Sequence, residues 1–373
     1  MAPYLVTFTS SFFVAWMAEK KIINKKNKFF SISCLIFAMV LLSILAALRG
    51  DTIGTDIKTY VIKYFDEAGK YDSFISYLSC YPSEYVEPGY KLFTFVISRF
   101  TNDLHFLHFA ICVFELSFVC AYLWENRQKM SISIGLLVFM LMQYNICFNA
   151  IRQSMAVCIC LYSFNAARDR NLKKFIILML AAMSFHRSSL LMVITYPLAI
   201  IFNKCTLREK TRLIWILALM SVFVLTFINT IVAFFINSGV FPVKFSHYIG
   251  ERYSVSRLSA LFFAFPAILI FILYKKNFFK IDSFNAVLVL YIVLWPILAQ
   301  LDSVSDQFGR MAFFFNIANI GFYSQLPAIQ KLSNNKFNFL IIRPLVAVFL
   351  IIYWYVSFNI WGVGETIPYM ISF

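Results

Sequence analysis

Charged residues are scarce in this sequence, and acidic ones most of all. Only 14% of the 373 residues are Asp, Glu, Lys or Arg, whereas a soluble globular protein carries about a quarter. Hydrophobic residues make up 61% of the chain. Apolar runs of about 20 residues, the length that crosses a bilayer as a helix, recur along nearly all of it. This composition predicts an all-α, polytopic integral membrane protein and excludes a soluble domain.

Sequence patterns that mark several familiar chemistries are also missing. There is no GxSxG, no P-loop and no GxGxxG. The eight cysteines contain no CxxC, and only Cys80 falls in a long polar loop, so neither a zinc site nor a disulfide framework is indicated. No set of His, Asp and Glu has the spacing of metal ligands. We therefore expect neither a metal nor a cofactor.

The basic residues are in excess but are distributed in a particular way. Lys and Arg outnumber Asp and Glu by 33 to 18, a formal net charge of +15. Such an excess can mark nucleic-acid binding, but here it lies mostly in short clusters between apolar runs, as the positive-inside rule describes. We therefore expect a lipid bilayer as partner and no nucleic acid. The clusters are Lys20–Lys28, Arg127–Lys129, Arg168–Lys174, Lys204–Arg212, Lys275–Lys280 and Lys331–Lys336.

These clusters define a topology. Placing all of them in the cytoplasm gives one transmembrane domain, residues 1–373, with about twelve membrane segments and both termini outside. Met1–Met17 has no basic n-region and no small-residue cleavage site, so it is interpreted as part of the first membrane helix. Further helices are expected at about 29–48, 103–124, 131–149, 152–167, 213–238, 258–274, 281–300, 310–328 and 337–359.

One apolar run tests this topology. Phe175–Asn203 lies between two basic clusters and is broken by His186–Arg187–Ser188–Ser189. A single crossing would put one cluster outside, whereas two short helices, at about 175–185 and 188–203, keep both clusters inside. Each is short for a full span. We therefore expect a broken-helix pair whose turn lies below the outer surface and lines a wet cavity.

Residues 49–102 are expected to form a long external segment. Ile57–Phe65 and Pro88–Phe100 have the spacing of amphipathic helices that lie on the outer membrane surface. The tyrosines of the segment suit either an aromatic belt at the membrane interface or a sugar-binding surface. These tyrosines are Tyr60, Tyr64, Tyr71, Tyr77, Tyr81, Tyr85 and Tyr90.

The segment starts with LRGDTIGTDIKTY (48–60), which carries Arg49 and Asp56 directly after a membrane helix. Gly50 and Gly54 allow the backbone to approach a ligand closely there. The stretch is either a solvated linker or the lip of a polar site. The topology places further polar residues on the same side: Asp51, Glu87, Lys91, Arg152, Gln153, His186, Arg187, Lys244, His247, Glu251, Arg252, Arg257, Asp302, Asp306 and Arg310.

Cations at outer helix ends run against the positive-inside rule, so four arginines need another explanation. They could pair with outer carboxylates and hold loops together. Alternatively, they converge on an anion, because the planar guanidinium binds phosphate through paired donors and helix starts favour anions. Four helix ends with arginine on one side favour a shared ligand, and a lipid-linked phosphate or diphosphate is the obvious outer-leaflet anion. The four are Arg49, Arg152, Arg187 and Arg310.

Three histidines, His105, His108 and His186, could each have a structural or a functional role. His186 lies at a helix break beside Arg187, so it is either a hydrogen-bond partner between helices or a catalytic or ligand-positioning group. His105 and His108 share a helix face without an acidic residue nearby, which favours packing at the membrane boundary.

Five pieces of sequence, in order, resemble the EpsG-like branch of the Wzy polymerases, which polymerise bacterial surface polysaccharide. They are LRGDTIGTDIKTY (48–60), VEPGYKLF (86–93), NAIRQSMAV (149–157), MSFHRSSLL (183–191) and DQFGRMAFFF (306–315). The resemblance spans residues 40–320. The family pattern is tighter around the second piece, where this chain inserts Tyr71–Tyr85.

The resemblance implies a GT-C-like membrane glycosyltransferase of the bacterial inner membrane, with its site on the periplasmic side. Such enzymes transfer the growing glycan en bloc from undecaprenyl diphosphate to the non-reducing end of a new lipid-linked repeat unit. No metal and no nucleotide sugar is implied. A polysaccharide co-polymerase that sets chain length is implied as a partner.

That chemistry gives the candidate residues their roles. Arg152, Arg187 and Arg310 are expected to stabilise the diphosphate leaving group, with Arg49 assisting. Asp56 and Glu87 are the leading candidates for the base that takes the acceptor proton, and His186 is the third. The remaining expected substrate contacts are Gly54, Tyr60, Tyr90 and Gln153.

Two other classes of function stay open. A flippase or transporter of lipid-linked sugars would share the ligand and a cationic cavity, but it should carry charges in both leaflets and often shows internal repeats. A ligase of the O-antigen type, or an acyltransferase, would share outer-facing Arg and His. The ligase would differ in its acceptor.

Overall fold

A computed structural model of the chain describes residues 1–23, 27–54, 56–80, 86–226, 234, 238, 262, 264–270, 272, 283–300, 306–326 and 336–371. In these ranges the regular structure is helical, in agreement with the predicted all-α class. An isolated antiparallel bridge joins Arg49 to Ile371.

The helices are numbered here in chain order. They are α1 (Ala2–Ile23), α2 (Lys28–Ala47), α3 (Ile62–Lys70), α4 (Phe74–Cys80), α5 (Pro88–Ser98), α6 (Leu104–Glu125), α7 (Ile132–Met142), α8 (Tyr144–Cys147), α9 (Ile151–Arg168), α10 (Leu172–Phe185), α11 (Thr195–Lys204), α12 (Leu207–Thr226), α13 (Ser283–Gln300), α14 (Asp306–Asn316), α15 (Ala318–Tyr323) and α16 (Lys336–Trp354). Ile57–Val61 and Tyr355–Ile360 are π-helical, and Arg187–Ile194 and Val363–Glu365 are 3-10 helical.

Short polar side chains fix the starts of several helices. The capping oxygen accepts a hydrogen bond from a backbone N–H two or three residues further on, which satisfies a group that the helix itself leaves unpaired. At α12, Thr206 and Glu209 cap each other reciprocally, and the helix therefore starts at Leu207, before the predicted 213. The other caps are Asn27, Asp103, Ser131 and Asn171.

The predicted break in the run 175–203 is confirmed. α10 ends at Phe185, His186 is extended with φ −157° and ψ 119°, and a 3-10 segment starts at Arg187 before α11. That the chain reverses direction there stays a prediction. Two other predicted helices are interrupted, since 131–149 divides at Gln143 and 310–328 divides at Ile317.

Two of the described helices, α2 and α6, are long and apolar enough to cross a membrane. Shorter apolar helical stretches occupy Ile132–Met142, Asn285–Ala299 and Pro344–Ile360. The total of about twelve segments stays a prediction. Most of the predicted helix 258–274, the loop 239–257 and the end of 213–238 lie outside the described residues.

The chain divides into two compact units, residues 1–193 with 323–373, and residues 194–322. In the first unit, α2 packs on α1 and α6, α9 packs on α6 and α10, and α7 packs on α1 and α16. In the second unit, α13 packs on α11, α12 and α14. A hydrogen bond of 2.7 Å between the hydroxyls of Thr195 and Tyr291 joins α11 to α13.

The external segment of the first unit is more deeply packed than its amphipathic pattern indicated. α3 and α5 pack on each other, and α4 joins α5. The Tyr77 hydroxyl donates to the Tyr64 carbonyl oxygen at 2.9 Å. These tyrosines therefore face the interior rather than an exposed belt or an open sugar-binding surface. The buried ones are Tyr60, Tyr64, Tyr77 and Tyr90, while Tyr81 and Tyr85 lie outside the described residues.

Residues 361–371 pack against the start of α1 and the segment that follows α2. The Tyr4 hydroxyl donates to the Thr366 carbonyl oxygen at 3.0 Å, and the Asn145 amide donates to the Thr366 hydroxyl at 2.8 Å. The Gly50 N–H donates to the Met370 carbonyl oxygen at 2.9 Å, next to the bridge between Arg49 and Ile371. The C-terminal tail, residues 361–371, is thereby part of the fold that holds residues 49 and 50.

Glycine is required at two points of close backbone approach. Gly54 has φ +97°, and a Cβ there would lie 2.3 Å from the Phe148 carbonyl oxygen. Gly89, in the first turn of α5, lies against the end of α10, where a Cβ would be 2.7 Å from the Ser184 carbonyl oxygen. Gly54 is thereby held against the residues that precede α9, and Gly89 against the end of α10, next to His186.

Gly89→Ala should lower the thermal unfolding temperature of the purified protein, because the added methyl group overpacks α5 against α10 at a cost of roughly 1–3 kcal/mol. Gly69→Ala in α3 is the matched control, since its Cβ would meet nothing closer than 3.4 Å. Unfolding followed by tryptophan fluorescence should show a decrease for Gly89→Ala only. Equal unfolding temperatures for the two variants would contradict the close packing.

Candidate active site

Glu87 is the centre of a polar cluster in the first unit. One carboxylate oxygen accepts a hydrogen bond from the Arg152 guanidinium at the start of α9. The other oxygen accepts from the Arg187 backbone N–H at 3.2 Å and lies 3.4 Å from His186 Nδ1. Glu87 is only 7% exposed. The cluster therefore joins the starts of α5 and α9 to the break after α10.

Local structure explains why this carboxylate is available to the cluster. Glu87 is at the N-cap position of α5, but its side chain makes no capping bond to that helix. Pro88 follows at the first helical position, where its missing N–H leaves no donor to satisfy. The carboxylate is thus directed toward Arg152 and His186 instead of its own helix.

The environment of Glu87 strongly favours the ionised form. Burial by itself raises the pKa of a carboxyl group, but the nearby His186 imidazole, the charge of Arg152 and the Arg187 N–H outweigh it and lower the pKa of Glu87 to about 2. Glu87 is therefore an anion at any physiological pH, and a weak proton acceptor in this arrangement.

Asp56 anchors the start of α9 from the external segment. Its carboxylate accepts a hydrogen bond from the Tyr60 hydroxyl and one of 3.2 Å from the Ile151 N–H. An anion at a helix N-terminus is stabilised by the unpaired N–H groups there. This bond also fixes the neighbouring Arg152, because the two residues share the first turn of α9.

Aromatic rings hold Arg152 from the side. Its guanidinium carbon lies 4.5 Å from the centre of the Tyr60 ring, and the Tyr60 and Tyr90 rings meet edge to face with centroids 5.9 Å apart. Such stacking involves the face of the guanidinium and does not compete with the hydrogen bonds that its N–H groups donate in the plane. Both predicted substrate-contacting tyrosines are therefore beside Arg152, and both are buried.

Arg49, unlike the half-buried Arg152, is fully buried in this unit. It is 2% exposed and its guanidinium carbon lies 4.2 Å from the centre of the Phe148 ring. Its guanidinium makes no hydrogen bond or ion pair with any residue that the structure describes, and Nε is fully buried without a partner. Burial lowers the pKa of Arg49, an effect that Tyr144 and Glu115 partly oppose.

The Tyr90 hydroxyl links the two arginines electrostatically. Burial raises the pKa of Tyr90, and the charges of Arg152 and Arg49 both act against that increase. Within the described part of the chain the Tyr90 hydroxyl has no hydrogen-bond partner. A hydroxyl without such a partner that is influenced by two cations is suited to contact a bound oxyanion.

The other residues expected at the site occupy different positions. Gln153 is buried in α9 one residue beyond Arg152, and Gly54 contacts Phe148 as described above. The Arg187 side chain is exposed, and its backbone N–H is the group that meets Glu87. Arg310 is an exposed residue of α14 in the second unit.

Several outer polar residues named from the sequence lie outside the described ranges, so their roles stay predictions. They are Lys244, His247, Glu251, Arg252, Arg257 and Asp302. No group of three His, Cys, Asp or Glu side chains that could hold a metal ion occurs in the ranges that the structure covers.

Sequence reasoning missed one buried acid. Glu115 is 3% exposed in α6, and it hydrogen-bonds the Ser154 hydroxyl in the first turn of α9. The signal was present, because Glu115 is the only acidic residue in an otherwise apolar run, and an ionisable residue inside a membrane segment marks a functional position. His108 on the same helix is 1% exposed, with both ring nitrogens unpartnered among the described residues.

Comparison with known proteins confirms the resemblance drawn from the five sequence pieces. The family model of the EpsG family matches residues 32–371, nearly the whole chain, and so covers both units. No curated protein and no solved structure gives a match. The chain is a helical membrane protein that belongs to the EpsG family, a family of Wzy-like polysaccharide polymerases.

Proposed function

We propose that this protein is a metal-independent glycosyltransferase that polymerises surface polysaccharide from lipid-linked repeat units. The growing glycan leaves undecaprenyl diphosphate and moves en bloc to a hydroxyl at the non-reducing end of a new unit. The anomeric carbon–oxygen bond to diphosphate breaks, and the acceptor oxygen forms the new bond and loses its proton. The family supports polysaccharide polymerisation, and the geometry of the first unit supports this specific chemistry.

The observation that carries the proposal is the unpaired, buried guanidinium of Arg49. A buried charge without a counter-ion costs several kcal/mol, and native proteins rarely keep one without a functional reason. Its charge and that of Arg152 both act on the buried Tyr90 hydroxyl, which has no hydrogen-bond partner among the described residues. A ligand that brings at least two negative charges would satisfy these groups together, and a diphosphate does so.

The chemistry needs such groups because charge develops on the leaving diphosphate. Donors that are already oriented stabilise this charge most when the site excludes water, since they need no reorganisation during the reaction. Asp56, Tyr60 and Phe148 hold the two guanidinium groups in place. Arg152 and Arg49 are therefore proposed to bind the diphosphate, with His186 and the Arg187 N–H beside them.

The acceptor hydroxyl must give up its proton to a base. Two carboxylates lie at this cluster, Asp56 and Glu87, and each already accepts two or more hydrogen bonds.

The proposal also includes the bacterial inner membrane as location, a periplasm-facing site, outer termini and a co-polymerase that sets chain length. These parts follow from the family and the charge pattern. The role of Arg310 also stays a proposal, based on its sequence piece.

Arg49→Met should lower the rate of polymer formation by roughly 100-fold or more, which is the loss expected when one oriented donor to a developing anion is removed. Its unfolding temperature should stay equal or increase, because the substitution removes an uncompensated buried charge. The assay measures laddered glycan products from purified protein and lipid-linked repeat units, with thermal unfolding in parallel.

Arg99→Met is the matched control for that experiment. Arg99 lies in the same external segment, where it donates to the Ala68 carbonyl oxygen and stacks on Phe95. It should retain the product ladder. A large decrease in the unfolding temperature of Arg49→Met would instead assign Arg49 a structural role and contradict the proposal.

Arg152→Ala should also eliminate chain elongation while the protein remains in the membrane fraction, because it removes the donor that orients the leaving group. Arg127→Ala is the control, since that guanidinium stacks on Trp124 at the C-terminal end of α6.

Arg310→Ala in the same assay tests the role that was assigned to Arg310 from its sequence piece. Laddered products mean a polymerase, a single transfer means a ligase, and no reaction with the wild-type protein favours transport. Normal glycan length in the Arg152 and Arg310 variants would refute their assignment.

A further inference from the structure

Glu87 occupies a set of donors that also suits a phosphate group. It is engaged by a guanidinium, an imidazole and a backbone N–H at the start of a helical segment. These three kinds of donor are the ones that proteins use for phosphate oxygens. The arrangement differs from that of Arg49, which has no anionic partner in the described structure. One cation of the site is thus filled by an anion of the protein itself, and the other is open.

We propose that Glu87 is an internal anion that occupies part of the diphosphate position, is displaced when the diphosphate binds, and then serves as the base for the acceptor hydroxyl. This inference rests on the proposed function and extends it by making the base available only after the donor substrate is bound.

The exchange is favourable because the incoming group carries more charge than the group that leaves. A diphosphate offers several oxygens and at least two charges to Arg152, His186 and the Arg187 N–H, whereas Glu87 offers two oxygens and one charge. Arg49 adds a cation that Glu87 leaves unpaired. Glu87 starts α5 without capping it, so its side chain can rotate away while the helix keeps its own hydrogen bonds.

Displacement would make the Glu87 carboxylate a stronger proton acceptor. The donors that held its pKa at about 2 would then contact the diphosphate, and the effect that remains, burial, raises the pKa of a carboxyl group. Glu87 would then accept the acceptor proton as the acceptor oxygen bonds to the anomeric carbon. The electron pair of the broken bond leaves with undecaprenyl diphosphate, and the proton later passes from Glu87 to water.

The test compares binding of inorganic pyrophosphate to purified wild-type protein and to Glu87→Gln. The substitution keeps the shape of the side chain but removes the competing charge, so pyrophosphate should bind roughly tenfold more tightly, the change that a lost charge-assisted competitor gives. Polymer formation by Glu87→Gln should decrease by roughly 100-fold or more, because the base is missing. Glu67→Gln, which removes a charge of the same segment paired with Lys70, should change neither quantity.

Equal or weaker binding by Glu87→Gln, with Arg152→Gln still weaker than wild type, would overturn the exchange and leave Glu87 as a fixed positioning group. Tighter binding with polymerisation at the wild-type rate would overturn its role as the base. Unchanged pyrophosphate binding by Arg152→Gln would instead refute the anion site of the proposed function. These outcomes separate the failure of the inference from the failure of the function.

A second variant keeps the test informative if Glu87→Gln does not fold. Glu87→Asp keeps the charge but shortens the side chain, so the carboxylate cannot reach Arg152 and the Arg187 N–H at the same time. A weakened competitor should give pyrophosphate affinity above wild type. Affinity at or below wild type in a folded Glu87→Asp protein would overturn the exchange.

Discussion

The pairing of buried charge is the constraint on which the contacts between the starts of α5 and α9 and the break after α10 depend. Glu87 satisfies donors from α9 and from the break after α10 while it starts α5. Removal of one partner would leave the others buried without compensation, which costs far more than the pair gains. The break at His186 is thus stabilised by the same carboxylate that positions Arg152.

Arg49, which is buried, and Arg152, which is half-buried, differ in how the fold compensates their charge. Arg152 is held by an anion, by an aromatic ring and by the adjacent anchor of Asp56 to its helix. Among the described residues Arg49 has an aromatic ring beside it and no ion pair, so the fold leaves its charge without a counter-ion there. Proteins commonly accept such a loss of stability where binding or catalysis requires an oriented charge.

Sequence reasoning predicted the features that have a local signal. Charge parity predicted the helix break at His186, which the structure shows. The conflict of the arginines with the positive-inside rule predicted a shared outer ligand, and that stays a prediction. The burial of Tyr60 and Tyr90 could not be predicted, because an amphipathic pattern identifies an apolar face but not whether lipid or protein covers it. Contacts between distant parts of the chain, such as Glu115 with Ser154, have no periodic signature.

The tail that reaches residues 49 and 50 makes the order of synthesis important. Tyr4, Gly50 and Asn145 all bond to residues 366–370, so the first and last parts of the chain meet at the same end of the unit. A nascent chain that has just completed α9 lacks these partners, because residues 366–370 follow much later in the sequence. The backbone contacts around residues 49 and 50 then form only after the helices between them have been synthesised.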